Sequence, residues 1–420
     1  RTFGTVERSS HERRQVTTIV DRSTNSTQRE LATIESSSRN EQCGSRNPGS
    51  LACINRETNS KLSSIKCVEW MWQSNPNVFS NSEPAEWNHY SDVENLIIEG
   101  AYSNGESKAV LDEYYIDFKA NLQISNTDEY KQRPVKRLVR KREDKHLREQ
   151  RFVDLPVSTG RSFSDAYGWV PPFVIEARKY LKLEVKDLPS RNPKVIPMLI
   201  DKAADGIIQE SKHIGKDNEG KELANMLKEQ KNQGIQEVWK CCAFIYSLES
   251  FLYKTLNAAM RLVGDEYHDY VWRSKVHTLG PFCLFLWDDP YNSKLTTNKT
   301  LYRGANLNDE QIARYEEMSR DRSILGSFQA FTSSSRNRTK AEEFGNTLFI
   351  MEILIAFTAD LSNITEYPNE EEELITPGVC FQVTKVQFDR KMKKSLIYLK
   401  LRQRFSSKQN IHLYFWESLS

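Results

Sequence analysis

The chain lacks any C-x-x-C pair, and its seven cysteines (Cys43, Cys53, Cys67, Cys241, Cys242, Cys283 and Cys380) have neither metal-ligand spacing nor an even count. That argues against a disulfide scaffold and for a reducing, intracellular setting, cytoplasmic or nuclear. No apolar run approaches the length of a membrane span, so no membrane partner is expected. No signal peptide is visible, but the first residue is Arg1 rather than Met, so a leader ahead of it stays open. Charge of one sign is also missing. A formal net charge of +2 over 420 residues makes the whole molecule no obvious nucleic-acid binder, and no direct sequence-specific contact with nucleic acid is expected. Without a Walker-type glycine loop or a metal-ligand cluster, kinase and nuclease chemistry lack their residues, and no metal is expected.

What is present leaves room for two or three domains. The hydrophobic fraction of 38%, with 8 Trp and 19 Phe, is enough to bury at least one core. Residues 1–64 are rich in Ser, Thr, Arg, Asn and Gln without periodicity, which predicts a disordered or low-complexity segment. From Cys67 onward, short alternating runs separated by Gly, Asn and Ser predict a small mainly-β domain over 65–140, with one short helix near Val93 to Tyr102. Residues 131–151 carry ten Lys or Arg against three acidic residues. A basic linker is placed at 141–165; it reads as a solvated helical segment or as a nuclear-import or anionic-ligand patch.

Beyond "VPP" at 170–172 the pattern turns helical. In "IQEVWKCCAFIYSLESFLYKTLNAAMRLV" (235–263), Val238, Trp239, Cys242, Ile245, Phe251, Leu252, Leu256 and Ala259 recur at three- and four-residue steps, as a buried helical stripe does. The remainder, "TLYRG", "SILGSFQAFTSS", "TLFIMEILI", "GVCFQVTKVQF" and "SLIYLKLRQRF", is a series of short β-rich segments. The fold class is therefore α+β: a second domain over 166–405 with helices first and a β core after them, then a tail at 406–420.

The chemistry concentrates in three stretches of that domain. "YPNEEEELITPG" (367–378) runs four glutamates into an apolar pair. In an extended chain alternate side chains share a face, roughly 6–7 Å apart. Glu370 and Glu372 then project together, and Glu371 and Glu373 the other way. Paired carboxylates suit the stabilisation of a developing cation and the handling of a proton, although an acidic surface loop reads the same. "TLYRG" puts Arg303 at a strand end before Gly304, where a fixed guanidinium could grip phosphates. "FTSSSRN" (331–337) offers three hydroxyls on a strand.

The order and spacing of these stretches resemble the Arg-Ser-Glu type of ADP-ribosyltransferase, and the upstream "ESFLYKTLNAAMRL" resembles that family's helical portion. The resemblance covers about 166–405 and implies a two-sheet β core, NAD as co-substrate and an arginine acceptor. The family's spacing from the glutamate to two aliphatics and Pro-Gly fits Glu372, not Glu373, so the pair is Glu370 and Glu372. The resemblance implies that Arg303 holds the diphosphate beside Gly304, and that Ser333 orients Glu372 and the nicotinamide ribose. It implies further that Glu372 stabilises the oxocarbenium-like transition state, and that Glu370 orients the acceptor. Phe344 is either an aromatic stacked on nicotinamide or a core residue. A catalytically silent reader and an NAD glycohydrolase are the competing functions.

The order Trp70, Trp72, Trp87, Tyr90, Glu99, Tyr114, Gln123 and Arg133 resembles a WWE domain, over about 66–138. That likeness implies binding of iso-ADP-ribose or poly(ADP-ribose) by Tyr90, Tyr114, Gln123 and Arg133, with Lys136 and Arg137 nearby. Trp72, Trp87 and Glu99 would be structural. Val93 stands where strong binders tend to carry Arg, which leaves a protein-contact role open.

Overall fold

The computed structural model describes residues 68–77, 84–139, 170–291 and 296–403. The expected N-terminal segment (1–64), linker (141–165) and tail (406–420) lie outside the described residues.

The N-terminal domain is a six-stranded sheet, all of whose pairs are antiparallel, with one helix. In chain order it comprises β1 (Val68–Gln73), β2 (Trp87–His89), α1 (Asp92–Ser103), β3 (Lys108–Val110), β4 (Tyr114–Asp117), β5 (Leu122–Ser125) and β6 (Gln132–Val139). Helix α1 starts where the sequence allows a reciprocal cap: the Glu94 amide donates to Ser91 Oγ (3.3 Å), and the Ser91 amide donates to Glu94 Oε2 (3.0 Å). Trp70, Ile98, Leu111, Ile116 and Val135 fill the core between helix and sheet. Glu99 enters that core with its charge matched. The Trp70 indole donates to it at 2.9 Å, and Arg137 grips both oxygens at 2.9 and 2.7 Å. Burial pushes the Glu99 pKa up, but the hydrogen bonds from Arg137 and Trp70 outweigh it and hold the carboxyl below its usual range.

The second domain opens with helices: α2 (Pro172–Leu181), α3 (Ile196–His213), α4 (Asp217–Lys228), α5 (Ile235–Ser247), α6 (Phe251–Arg261), α7 (Asp269–Ser274) and α8 (Val276–Trp287). Pro172 at the first helical position supplies a preset φ where no amide partner is needed. The apolar stripe of 235–263 is buried as its spacing predicts, but on two helices rather than one. Leu248 is extended, and Ser250 caps α6 by accepting the Leu252 amide at 3.3 Å, so the chain breaks at 248–250.

The β core follows: β7 (Lys299–Ala305), α9 (Asp309–Arg320), β8 (Leu325–Phe328), β9 (Thr332–Ser335), α10 (Arg338–Glu342), β10 (Thr347–Ile355), β11 (Thr358–Asp360), β12 (Glu372–Ile375), β13 (Val379–Asp389) and β14 (Lys394–Gln403). Hydrogen bonding is continuous through eight strands in the order β11-β12-β9-β7-β10-β14-β13-β8, where two sheets are expected. The difference rests on one residue pair, Tyr302 with Ser335, which joins β7 to β9. The sheet is nonetheless not flat. Strands β8 and β9 stand five places apart, about 24 Å if flat, yet residues 329–331 alone connect them and reach only about 14 Å between strand ends. The same holds for β12 and β13, also five places apart and joined by residues 376–378. The sheet must curl so that its two parts approach. Leu301, Phe349, Met351, Ile375, Phe381 and Leu399 fill one side, with Tyr315 and Met318 of α9. The other side adds Ala330, Phe331, Ala359 and Leu374 to the helical core.

Replacing Glu99 by Ala leaves the buried Trp70 indole without its acceptor and the half-buried Arg137 without its carboxylate; an unsatisfied buried donor costs about 1–3 kcal/mol. Because the folded pKa of Glu99 is lowered, its contribution is present above the unfolded carboxylate pKa and lost as pH falls through the folded value. Thermal denaturation should therefore show a lower Tm for Glu99→Ala at neutral pH, and a gap to the parent that narrows in acid.

Candidate active site

Strands β12, β9 and β7 are neighbours, and they bring Glu372, Ser333 and Arg303 into one patch of the sheet. All are buried: Arg303 is 3% exposed, Ser333 4%, Glu370 4% and Glu372 0%. In such surroundings a fixed charge acts far more strongly than in water. The register is specific. Glu372 lies opposite Ser335, Glu373 opposite Ser334 and Leu374 opposite Ser333. The serine across from Glu372 is thus Ser335, while Ser333 holds Arg303: the guanidinium donates Nη1 to the Ser333 carbonyl at 2.5 Å. The hydroxyls of Ser334 and Ser335 donate to the carbonyls of Glu373 (2.7 Å) and Glu370 (2.5 Å).

The four glutamates do not run as an extended segment, which corrects the geometry expected for them. Pro368–Glu370 is a turn of 3₁₀ helix, Glu371 has φ 45°, and the strand begins only at Glu372. A left-handed non-glycine residue is costly and persists where its surroundings fix it. Here the Arg336 amide donates to the Glu371 carbonyl at 3.2 Å, and the Glu370 amide to that of Tyr367 at 3.0 Å. Glu371 and Glu373 still share a side, because both carboxylates reach Arg336, at 3.7 and 3.5 Å. Glu373 is not a solvent-facing residue. It is 1% exposed and also takes Lys299 Nζ at 2.5 Å and the Thr358 hydroxyl at 2.6 Å.

Gly304 lies under the chain that follows α10. A Cβ there would come within 2.5 Å of the Ala341 carbonyl oxygen and 2.6 Å of that of Phe344. Phe344 is buried, and its carbonyl accepts Lys394 Nζ at 3.2 Å. Close backbone approach is therefore what the glycine after Arg303 permits.

In the N-terminal domain Tyr90, Tyr114 and Gln123 come together. Tyr90 Oη donates to Gln123 Oε1 at 2.7 Å, the two tyrosine rings are 6.2 Å apart, and Tyr114 Oη donates to Glu94 Oε1 at 2.9 Å. Burial pushes both phenols above their ordinary range, so they are donors at neutral pH. Arg133 lies across from Gln123 in the sheet, but its guanidinium holds the Gln73 and Asn75 carbonyls at 2.9 and 3.0 Å and covers the Trp72 ring. It thus also fastens the end of β1.

A model of the WWE domain matches residues 68–137, and one of NAD:arginine ADP-ribosyltransferase matches 224–407. Residues 68–137 are thus a WWE domain, and residues 224–407 an ADP-ribosyltransferase domain. NAD is the substrate of such a domain. Among solved structures, it is similar to the ADP-ribosyltransferase HopU1 of Pseudomonas syringae pv. Tomato DC3000, with 18% identity over 43% of this chain and 87% of that one, TM-score 0.33. The type III effector XopAI from Xanthomonas axonopodis pv. citri is 15% identical over 56% and 100%, TM-score 0.36. Exoenzyme S from Pseudomonas aeruginosa, solved with human 14-3-3 protein beta and Carba-NAD, is 16% identical over 48% and 88%, TM-score 0.31. No curated protein matches. Among the described residues no cluster of three or more His, Cys, Asp or Glu could hold a metal ion, and no helix is long and apolar enough to cross a membrane.

Sequence reasoning missed how the WWE domain meets the transferase domain. Val93 and Leu96 belong to the same apolar cluster as the transferase helices, so the position that lacks an Arg is buried in that contact. Asp92 accepts the Tyr367 hydroxyl at 2.6 Å, at the head of the glutamate segment, and the Glu249 amide at 2.8 Å. Asp112 accepts the Asn218 amide at 2.7 Å at the start of α4, a favoured place for a carboxylate. The sequence placed a short helix near Val93 to Tyr102, but not these far partners.

Gly304→Ala forces the transferase chain after α10 away from β7, and overpacking of this kind costs about 1–3 kcal/mol. Differential scanning should register that loss together with reduced NAD cleavage. Gly100→Ala in α1, where a Cβ meets nothing within 4 Å, serves as the control and should hold or raise the Tm.

Proposed function

We propose that the chain is a mono-ADP-ribosyltransferase that moves ADP-ribose from NAD to a protein arginine and releases nicotinamide. The observation that carries this reading is the adjacency of Arg303, Ser333 and Glu372 on neighbouring strands, all buried. The bond between nicotinamide nitrogen and ribose C1′ breaks with its electron pair going to the nitrogen, which leaves an oxocarbenium-like centre. The Glu372 carboxylate supplies negative charge where that centre develops. Arg303 is the cation for the diphosphate, and Ser333, whose carbonyl holds Arg303, fixes that guanidinium. Phe344 and Gly304 close the same wall.

A guanidinium is too basic to lose its proton beforehand. As an arginine nitrogen forms its bond to C1′, the proton passes to Glu370, which lies two residues from Glu372 and is equally buried. The WWE domain, on this reading, binds iso-ADP-ribose or poly(ADP-ribose) with Tyr90, Tyr114, Gln123 and Arg133. The free thiols Cys241, Cys242 and Cys283 support an intracellular site of action.

Two readouts on one set of proteins test the division of labour: nicotinamide release, and label carried to polyarginine. Glu372→Gln should lose both by on the order of 10²- to 10³-fold. Glu370→Gln should keep NAD hydrolysis within a few-fold and lose arginine modification. Equal loss of both activities in Glu370→Gln would sink the separate roles, and full activity in Glu372→Gln would sink the assignment itself. For the WWE domain, calorimetry on the full chain should detect iso-ADP-ribose binding that Tyr114→Ala removes. Silence from the unmutated chain would instead favour a protein-contact role.

A further inference from the structure

Three of the four glutamates are hydrogen-bonded to the short stretch 334–336, and the fourth, Glu372, lies opposite its Ser335. Ser334 and Ser335 hold the carbonyls of Glu373 and Glu370, and the Arg336 amide holds that of Glu371. The Arg336 side chain then closes the arrangement from the far side of the strand. Its Nη1 meets Asp360 at 2.5 Å and Glu373 at 3.5 Å, its Nε meets Glu371 at 3.7 Å, and its Nη2 donates to Ser362 at 3.2 Å. The two glutamates it touches are those on either side of Glu372.

We infer that Arg336 is a positioning residue for the transferase reaction: by clamping Glu371 and Glu373 it holds the left-handed turn that sets where Glu370 and Glu372 stand. This rests on the transferase reading above. Three carboxylates, Asp360, Glu371 and Glu373, surround Arg336, and Lys299 is the other cation on Glu373. Without the guanidinium, three negative charges face one positive charge, and repulsion pushes the segment off its strand. The clamp's charges stabilise one another. The hydrogen bond to Asp360 raises the Arg336 pKa further, and the bonds from Arg336 and Ser362 hold Asp360 below its usual range despite burial. A planar fork can bridge several carboxylates at once, whereas an ammonium is a single point of charge.

The role divides from mere stability because the ratio of two activities does not depend on the fraction of protein that is folded. Arg336→Gln, Arg336→Lys and the double variant Arg336→Gln/Glu371→Gly are compared with the parent for nicotinamide release and for transfer to polyarginine. Displacement of a reacting group by about 1 Å can cost on the order of 10²-fold. Arg336→Gln should lose kcat for nicotinamide release by about that factor with KM for NAD nearly unchanged, and its transfer-to-hydrolysis ratio should fall about tenfold or more. Arg336→Lys should recover only part. Glycine at 371 adopts positive φ without strain and removes one repelling carboxylate, so the double variant should regain activity over Arg336→Gln. An unchanged ratio, with activity falling only in step with the folded fraction seen by melting, would overturn the positioning role; so would a double variant no better than the single. A parent protein that releases no nicotinamide would overturn the transferase reading, a different failure from an active parent indifferent to Arg336.

Discussion

One backbone pairing, Tyr302 with Ser335, holds the arrangement together. It fastens the strand of Arg303 to the strand of the serines, and through β9 to the strand of Glu372. Around it the sheet curls, because short connections pull distant strands toward each other. The curl leaves one side packed on α9 and the other on the helices, with the chemistry-bearing residues at the seam. A flat sheet of the same strands would satisfy the same ladders but not the connections.

Buried acidity is the second constraint. A carboxylate taken out of water without partners is strongly disfavoured. The transferase domain answers two cases with a local match of cation and hydroxyl: Glu373 with Lys299, Arg336 and Thr358, and Glu210 with Lys275 and Thr278. Glu219 accepts the Phe251 amide, and burial raises its pKa. Four glutamates in a row can therefore sit at the mouth of a strand. Two are neutralised by the clamp on one side, which fixes the direction of the other two.

Much of this was legible in the sequence, for reasons that differ by element. The stripe from Val238 to Ala259 follows helical spacing, and burial obeys it. The break at 248–250 is carried by one extended leucine and one serine cap, signals too small to interrupt a strong period. The alternation argument for Glu370 and Glu372 failed in its premise, since Pro368 and a left-handed Glu371 replace the extended backbone. It still sorted Glu371 and Glu373 to the Arg336 side. Arg336, Asp360 and Lys299 were illegible as a group because they come from three separated stretches that only the strand order brings together. Ser335 rather than Ser333 faces Glu372 for the same reason: register belongs to the sheet, not to the motif.

Asp92 is the last residue before the one where α1 turns its apolar side to the transferase helices, and it bonds both Tyr367 and the Glu249 amide. A domain held this way is not an interchangeable cassette. Any recombination that carried the WWE segment to another host would leave Val93 and Leu96 without cover and Asp92 without its two donors. Positions 92 and 367 are thus coupled through their side chains, although 275 residues separate them.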